Sequence, residues 1–157
     1  MTNGMFTEIL LGILAITLVV AAVIDVRTFT ISNRLNAFIA LLAPLFWWST
    51  GLPFWPDAAI QVGVAVIVFV VLAGAFYAGM MGGGDVKLAA ALALWFSPAA
   101  TVKFLVFLSL AGGVLTLAVL CWHRWKKRPG KPEIPYGVAI AAGGLAILTQ
   151  RFLNHFA

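Results

Sequence analysis

The sequence predicts an all-α, polytopic membrane protein of about six transmembrane helices, and three observations predict it. Of 157 residues, 63% are hydrophobic and 10% charged, whereas a water-facing domain carries roughly 25% charge. Mean hydropathy is +1.07. Apolar runs of spanning length recur along the whole chain. The length suits one bundle, a single domain over 1–157.

The first segment, 6–24, is apolar apart from Glu8 and Thr17 and gives way to a polar stretch from Asp25 to Asn33. No basic region precedes it and no small-residue cleavage site follows a short apolar run, so it is expected to remain as a helix. The second, 35–50, carries a Trp47-Trp48 pair suited to a membrane–water interface. Pro53, Pro56 and Gly51 make 51–57 a loop. The third segment, 58–79, is nearly pure Val, Ile, Ala and Phe, with Asp57 expected to cap its start. Three consecutive glycines, Gly82, Gly83 and Gly84, then precede a short fourth helix, 86–97, which covers under about 20 Å against a hydrocarbon core of about 30 Å. The fifth segment, 99–122, leads to a basic loop, 123–131, and the sixth runs over 135–152. The pairs Gly112-Gly113 and Gly143-Gly144 are expected to let the last two helices pack closely.

Six segments put both termini on one side. The loops after segments one, three and five then share the other side. They hold Arg27, Arg34, Lys87, Arg124, Lys126, Lys127, Arg128 and Lys131, eight of the ten basic residues. By the positive-inside rule these loops are cytoplasmic and the termini outside. The net charge of +5 therefore reads as basic loops at a membrane, not as a nucleic-acid surface. Cys121 is the only cysteine, which permits neither an internal disulfide nor a cysteine-based zinc site. No cofactor or metal is implied.

Five residues are acidic. Glu8 and Asp57 fall toward the outer side and Glu133 sits in the basic loop. Asp25 and Asp85 remain, both at cytoplasmic ends of apolar helices. Each has an ordinary structural reading: Asp25 as a headgroup-level residue paired with Arg27, Asp85 as a helix cap behind turn glycines. Ionisable groups at membrane depth are expensive and mark function. Two carboxylates in a low-dielectric site cannot both ionise easily, so one keeps a proton and the other can activate water. The glycines would let a substrate backbone approach closely. His123 and His155 lie on opposite sides by this topology, and Gly82–Lys87 lacks the spacing of a phosphate loop.

Gly82-Gly83-Gly84-Asp85 matches the G-x-G-D motif of intramembrane aspartyl proteases, and Asp85-Val86-Lys87 extends it. Asp25-Val26-Arg27 followed by Ile31-Ser32-Asn33 resembles the first aspartate motif of type IV prepilin peptidases, and 135–139 resembles a third segment. The resemblance covers about residues 20–145. It implies cleavage of the basic leader of prepilins or pseudopilins at the cytoplasmic face of a bacterial inner membrane, with Asp25 and Asp85 catalytic. Arg27, Asn33, Lys87 and Gly82 to Gly84 would position loops or substrate. The implied partners are those prepilins, the bilayer and pilus assembly machinery. Large members add a cysteine-paired cytoplasmic region and also methylate the new terminus. This chain has one cysteine and no such insertion, so it resembles the short form of tight-adherence (Flp-type) pilus systems. The competing readings are a small proton-coupled transporter with relay carboxylates and a non-catalytic assembly subunit.

Overall fold

The structure is a computed structural model and describes residues 4–127, 130 and 132–156, with side chains through 153. Arg128 and Lys131 of the basic loop lie outside the described residues. The described chain is all helical: α1 (Gly4–Thr28), α2 (Asn33–Thr50), α3 (Ala59–Tyr77), α4 (Gly83–Ala93), α5 (Pro98–Trp125) and α6 (Tyr136–Phe156), with one π-helical turn, Phe54–Ala58, before α3. Four stretches are long and apolar enough to cross a membrane: Gly4–Thr28, Phe54–Tyr77, Pro98–Trp125 and Tyr136–Leu153. The 18 residues of α2 reach about 27 Å, but open with Asn33, Arg34 and Asn36. The 11 residues of α4 reach about 16 Å, so the expectation of a short fourth helix holds.

The short helix is the centre of the bundle. Leu88, Ala89, Leu92 and Ala93 are fully buried, and α4 packs against α2, α3 and α6. On the far side of that layer α1 packs on α2 and α6, and α5 packs on α6. By contrast α2 and α3 hardly meet; each leans on α4. α3 and α5 present Ile67, Val70, Val71, Leu110 and Val114 outward. An apolar exterior over an apolar core is the arrangement lipid requires, with every backbone group satisfied within the helices.

A helix that stops inside a bundle strands its last carbonyls. One tryptophan answers this at the end of α4, and a second ties that end to α2. The Trp47 indole donates to the Leu94 carbonyl at 2.7 Å, and the Trp95 indole donates to the Ile39 carbonyl at 3.0 Å. Trp95 also stacks on Phe46 with centroids 5.0 Å apart. The chain then turns back into α5, where the Ser97 hydroxyl accepts from the Ala100 N–H and Pro98 occupies the first turn. Because α4 ends early, a cavity of about 580 Å³ opens there, lined by Gln61, Ser97, Lys103 and Arg151 among others.

Two local expectations need correction. Asp57 does not cap α3: it lies within the π-helical turn, and the residue before α3 is Ala58, with no side-chain cap. The paired glycines do not act as pairs. A Cβ on Gly112 would meet Tyr136, and one on Gly143 would meet Phe104 and the Leu108 backbone, so these two do join α5 to α6. Gly144 instead faces Leu18 and Leu92, and Gly113 has nothing near it.

Candidate active site

α1 continues past the polar boundary to Thr28. The Thr28 hydroxyl donates to the Ile24 carbonyl at 2.9 Å, and the Phe29 N–H donates to the Asp25 carbonyl at 2.8 Å. Polar side chains leave the membrane there but do not end the helix. Phe29 then takes a left-handed conformation with φ of 51°, which turns the chain and drives Ile31 inward, where it is buried. The Ser32 hydroxyl accepts from the Leu35 N–H at 3.3 Å and starts α2. This reversal leaves Asp25 facing into the bundle with 2% exposure.

Asp85 arrives from α4. It is not the helix cap; Gly82 holds that position. Asp85 sits in the first turn, and its Oδ2 accepts the Gly82 N–H at 3.1 Å, the carboxylate half of a capping box. Its exposure is 7%. The charge of Asp25 acts on its carboxyl. The two aspartates, sixty positions apart in sequence, therefore feel one another at one end of the bundle.

Two glycines make this approach possible, and both press on the same residue. A Cβ on Gly84 would lie 2.7 Å from the Ile31 carbonyl oxygen. A Cβ on Gly137, at the start of α6, would lie 2.6 Å from Ile31 Cδ1 and 2.8 Å from the Asp25 carboxyl. α4 and α6 thus close on the Ile31 turn at distances no side chain tolerates. The backbone of Gly137 and Val138 lies near Asp25, whose Oδ2 is buried without a hydrogen-bond partner. The reading of all three glycines as room for a substrate needs revision: the space beside Gly84 is filled by the chain itself, and that beside Gly83 borders Phe76. Gly82 alone is exposed.

The remaining motif residues divide. The Lys87 ammonium donates to Asn33 Oδ1 at 2.8 Å, tying α4 to the start of α2. Arg27 is exposed, and among the described residues it forms no ion pair with Asp25, so the ordinary structural reading of Asp25 is not realised. Two residues matter that the motifs did not single out. Gly137 belongs to the third segment but carried no role of its own. Asn36, whose Nδ2 donates to the Gly84 carbonyl at 2.9 Å, had one legible signal: it is a lone amide inside an apolar segment. Among the described residues no cluster of three or more His, Cys, Asp or Glu side chains gathers.

Residues 12–117 match the model of the type IV leader peptidase family. That stretch is about two thirds of the chain and contains both aspartate motifs. The chain belongs to the type IV leader peptidase family. It is therefore an aspartic-type prepilin peptidase, which sets aside the transporter and the assembly subunit. Membership implies cleavage of prepilin leader peptides by a multi-pass protein of the inner membrane. The matched span ends inside α5, so the peptidase's α6 and Gly137 lie beyond it. No curated protein and no solved structure matches the chain.

Proposed function

We propose that Asp25 and Asp85 are the catalytic pair, and that the substrate is a prepilin or pseudopilin of the Flp type, cut at the cytoplasmic face. The observation that carries the assignment is the burial of both carboxyls at one end of the bundle, with the charge of Asp25 acting on Asp85. In such a pair one carboxyl holds a proton while the other is ionised. The ionised carboxylate takes a proton from water as the water oxygen attacks the scissile carbonyl carbon. The protonated partner gives its proton to the leaving nitrogen as the C–N bond breaks. Both carboxyls end with their protons exchanged and the peptide as acid and amine. Arg27, Asn33, Lys87 and the three glycines hold the loops around this chemistry. The Asn33–Lys87 and Asn36–Gly84 bonds are the support for that role.

Six crossings with both termini outside fit this assignment. Of the described basic residues, Arg27, Arg34, Lys87, Arg124, Lys126 and Lys127 lie in or just beyond the terminal turns of helices at the aspartate end, where the positive-inside rule expects them. The Flp subtype rests on the single cysteine and on the short turn between α1 and α2, which holds no added region.

Co-expression with a tagged Flp-type prepilin tests the pair. Asp25→Asn and Asp85→Asn keep size and hydrogen bonding but cannot exchange a proton at neutral pH. Each should lower processing by several orders of magnitude, and the double variant should be no worse than either single one, because the two act as a unit. Asp57→Asn should process normally. Processing near the native rate by either single variant would remove that residue from the chemistry.

A further inference from the structure

We infer that the apolar helix of the substrate enters from the bilayer between α2 and α3 and docks on α4, with Asn36 receiving a backbone N–H from its first turn. This rests on the peptidase reading and adds to it a location for the substrate that none of the motifs gives.

The groove exists because α2 and α3 both lean on α4 and hardly touch each other. Its floor is the outward face of α4, from Lys87 through Ala90 and Ala91 to Leu94. The walls run from Asn33 to Ala40 on α2 and from Val62 to Phe69 on α3, and the volume is about 510 Å³. Each of these stretches covers about 10 Å, two helical turns. Ala37 and Ala40 on the α2 wall and Ala90 and Ala91 on the floor are the small residues that let helix backbones approach in lipid.

The groove is polar at one end only, and that end lies beside the aspartates. Asn33 and Lys87 close it with their 2.8 Å bond. Asn36 lines it as well and is 5% exposed. The Gly84 carbonyl can accept only from an N–H, which fixes the amide with Nδ2 toward Gly84. Asn36 Oδ1 is then left buried with no partner. A buried acceptor without a donor is costly. The first turn of any helix carries the complementary group, since its leading N–H groups have no partner within the helix. A lipid acyl chain carries no donor. A helix seated in the groove would therefore satisfy Asn36, and reaching it requires α2 and α3 to part slightly.

The geometry also sets the path onward. The groove face of α4 and the Asp85 face are opposite sides of one helix. A chain leaving the docked helix toward the carboxyls has to cross the start of α4, where Gly82 is exposed. The Asn36–Gly84 bond marks that crossing.

The test uses the full-length protein in vesicles of phosphatidylethanolamine and phosphatidylglycerol with a membrane-inserted prepilin. Ala37→Trp fills the groove from α2 and Val66→Trp from α3; both positions are exposed, so the fold accepts them. Each should raise KM about tenfold or more with kcat within about twofold, while Val114→Trp on the outward face of α5 leaves both unchanged. Unchanged KM in both groove variants, beside normal cleavage by the native protein, overturns the docking and leaves the peptidase reading intact. A readout independent of turnover uses Asp85→Asn with a photo-reactive side chain at Val66 or at Val114. Prepilin captured from Val66 and not from Val114 supports the docking. Capture of lipid alone, or equal capture of prepilin from both positions, overturns it.

Discussion

At one end of the bundle two carboxyls lie under backbone so close that a methyl group does not fit beside it; at the other, Gln61, Lys103 and Arg151 line a cavity of about 580 Å³. Both ends contain polar groups that lipid would reject. At the aspartate end every wall is a turn or a helix start: the Ile31 reversal, the start of α4 and the start of α6. At the far end the walls are the space left where α4 stops. Close packing keeps the carboxyls buried and in each other's field, whereas an open cavity leaves free space around its polar side chains. Membrane depth alone is thus a poor guide to function. The packing around a polar group distinguishes a tuned group from a merely tolerated one.

The largest effect that would break this contrast is steric. Gly137→Ala places a carbon 2.8 Å from the Asp25 carboxyl, and Gly84→Ala places one 2.7 Å from the Ile31 carbonyl oxygen. Something must shift in each case, and misplacement of a catalytic group by about 1 Å costs about a hundredfold in rate. Prepilin processing should fall by at least that much in both variants, while Gly113→Ala, with nothing near it, processes normally. Full activity in Gly137→Ala would mean that the tight end is no more exacting than the loose one.

That first prediction also marks what could be read from the sequence. Asp25 and Asp85 stand out as candidates because each sits in a local pattern, a few residues long, at the end of an apolar run. The short α4 was legible from Pro98 and the glycines. Gly84 stands in the same pattern, but what crowds it is not local. Its neighbour is Ile31, fifty-three positions earlier, and no local pattern announces a contact across that distance. Gly137 was hidden for the same cause, since its role appears only when α6 docks on α1. The far cavity was not legible at all, because it is made by what α4 fails to reach.

The smallest effect belongs to the far end. Gln61 is 7% exposed, and its Oε1 has no partner among the described residues. Gln61→Leu removes an unsatisfied acceptor and keeps most of the packing, so stability should change by less than about 1 kcal/mol, in the favourable direction. Processing should stay within about twofold of native. A tenfold loss of processing would extend the functional region across the whole bundle.

The burial of the two aspartates carries one more consequence. With 2% and 7% exposure, the resting carboxyls are sealed from the very reactant a hydrolase consumes. An enzyme that drifts among the helices of every other protein in its membrane needs such latency. Admission of solvent and substrate then has to come first, by movement of the Ile31 turn or the loop before α4, and bond cleavage follows. On that ordering, turnover tracks the opening motion: exchanging H₂O for D₂O should scarcely slow it, while stiffening the lipid should slow it markedly.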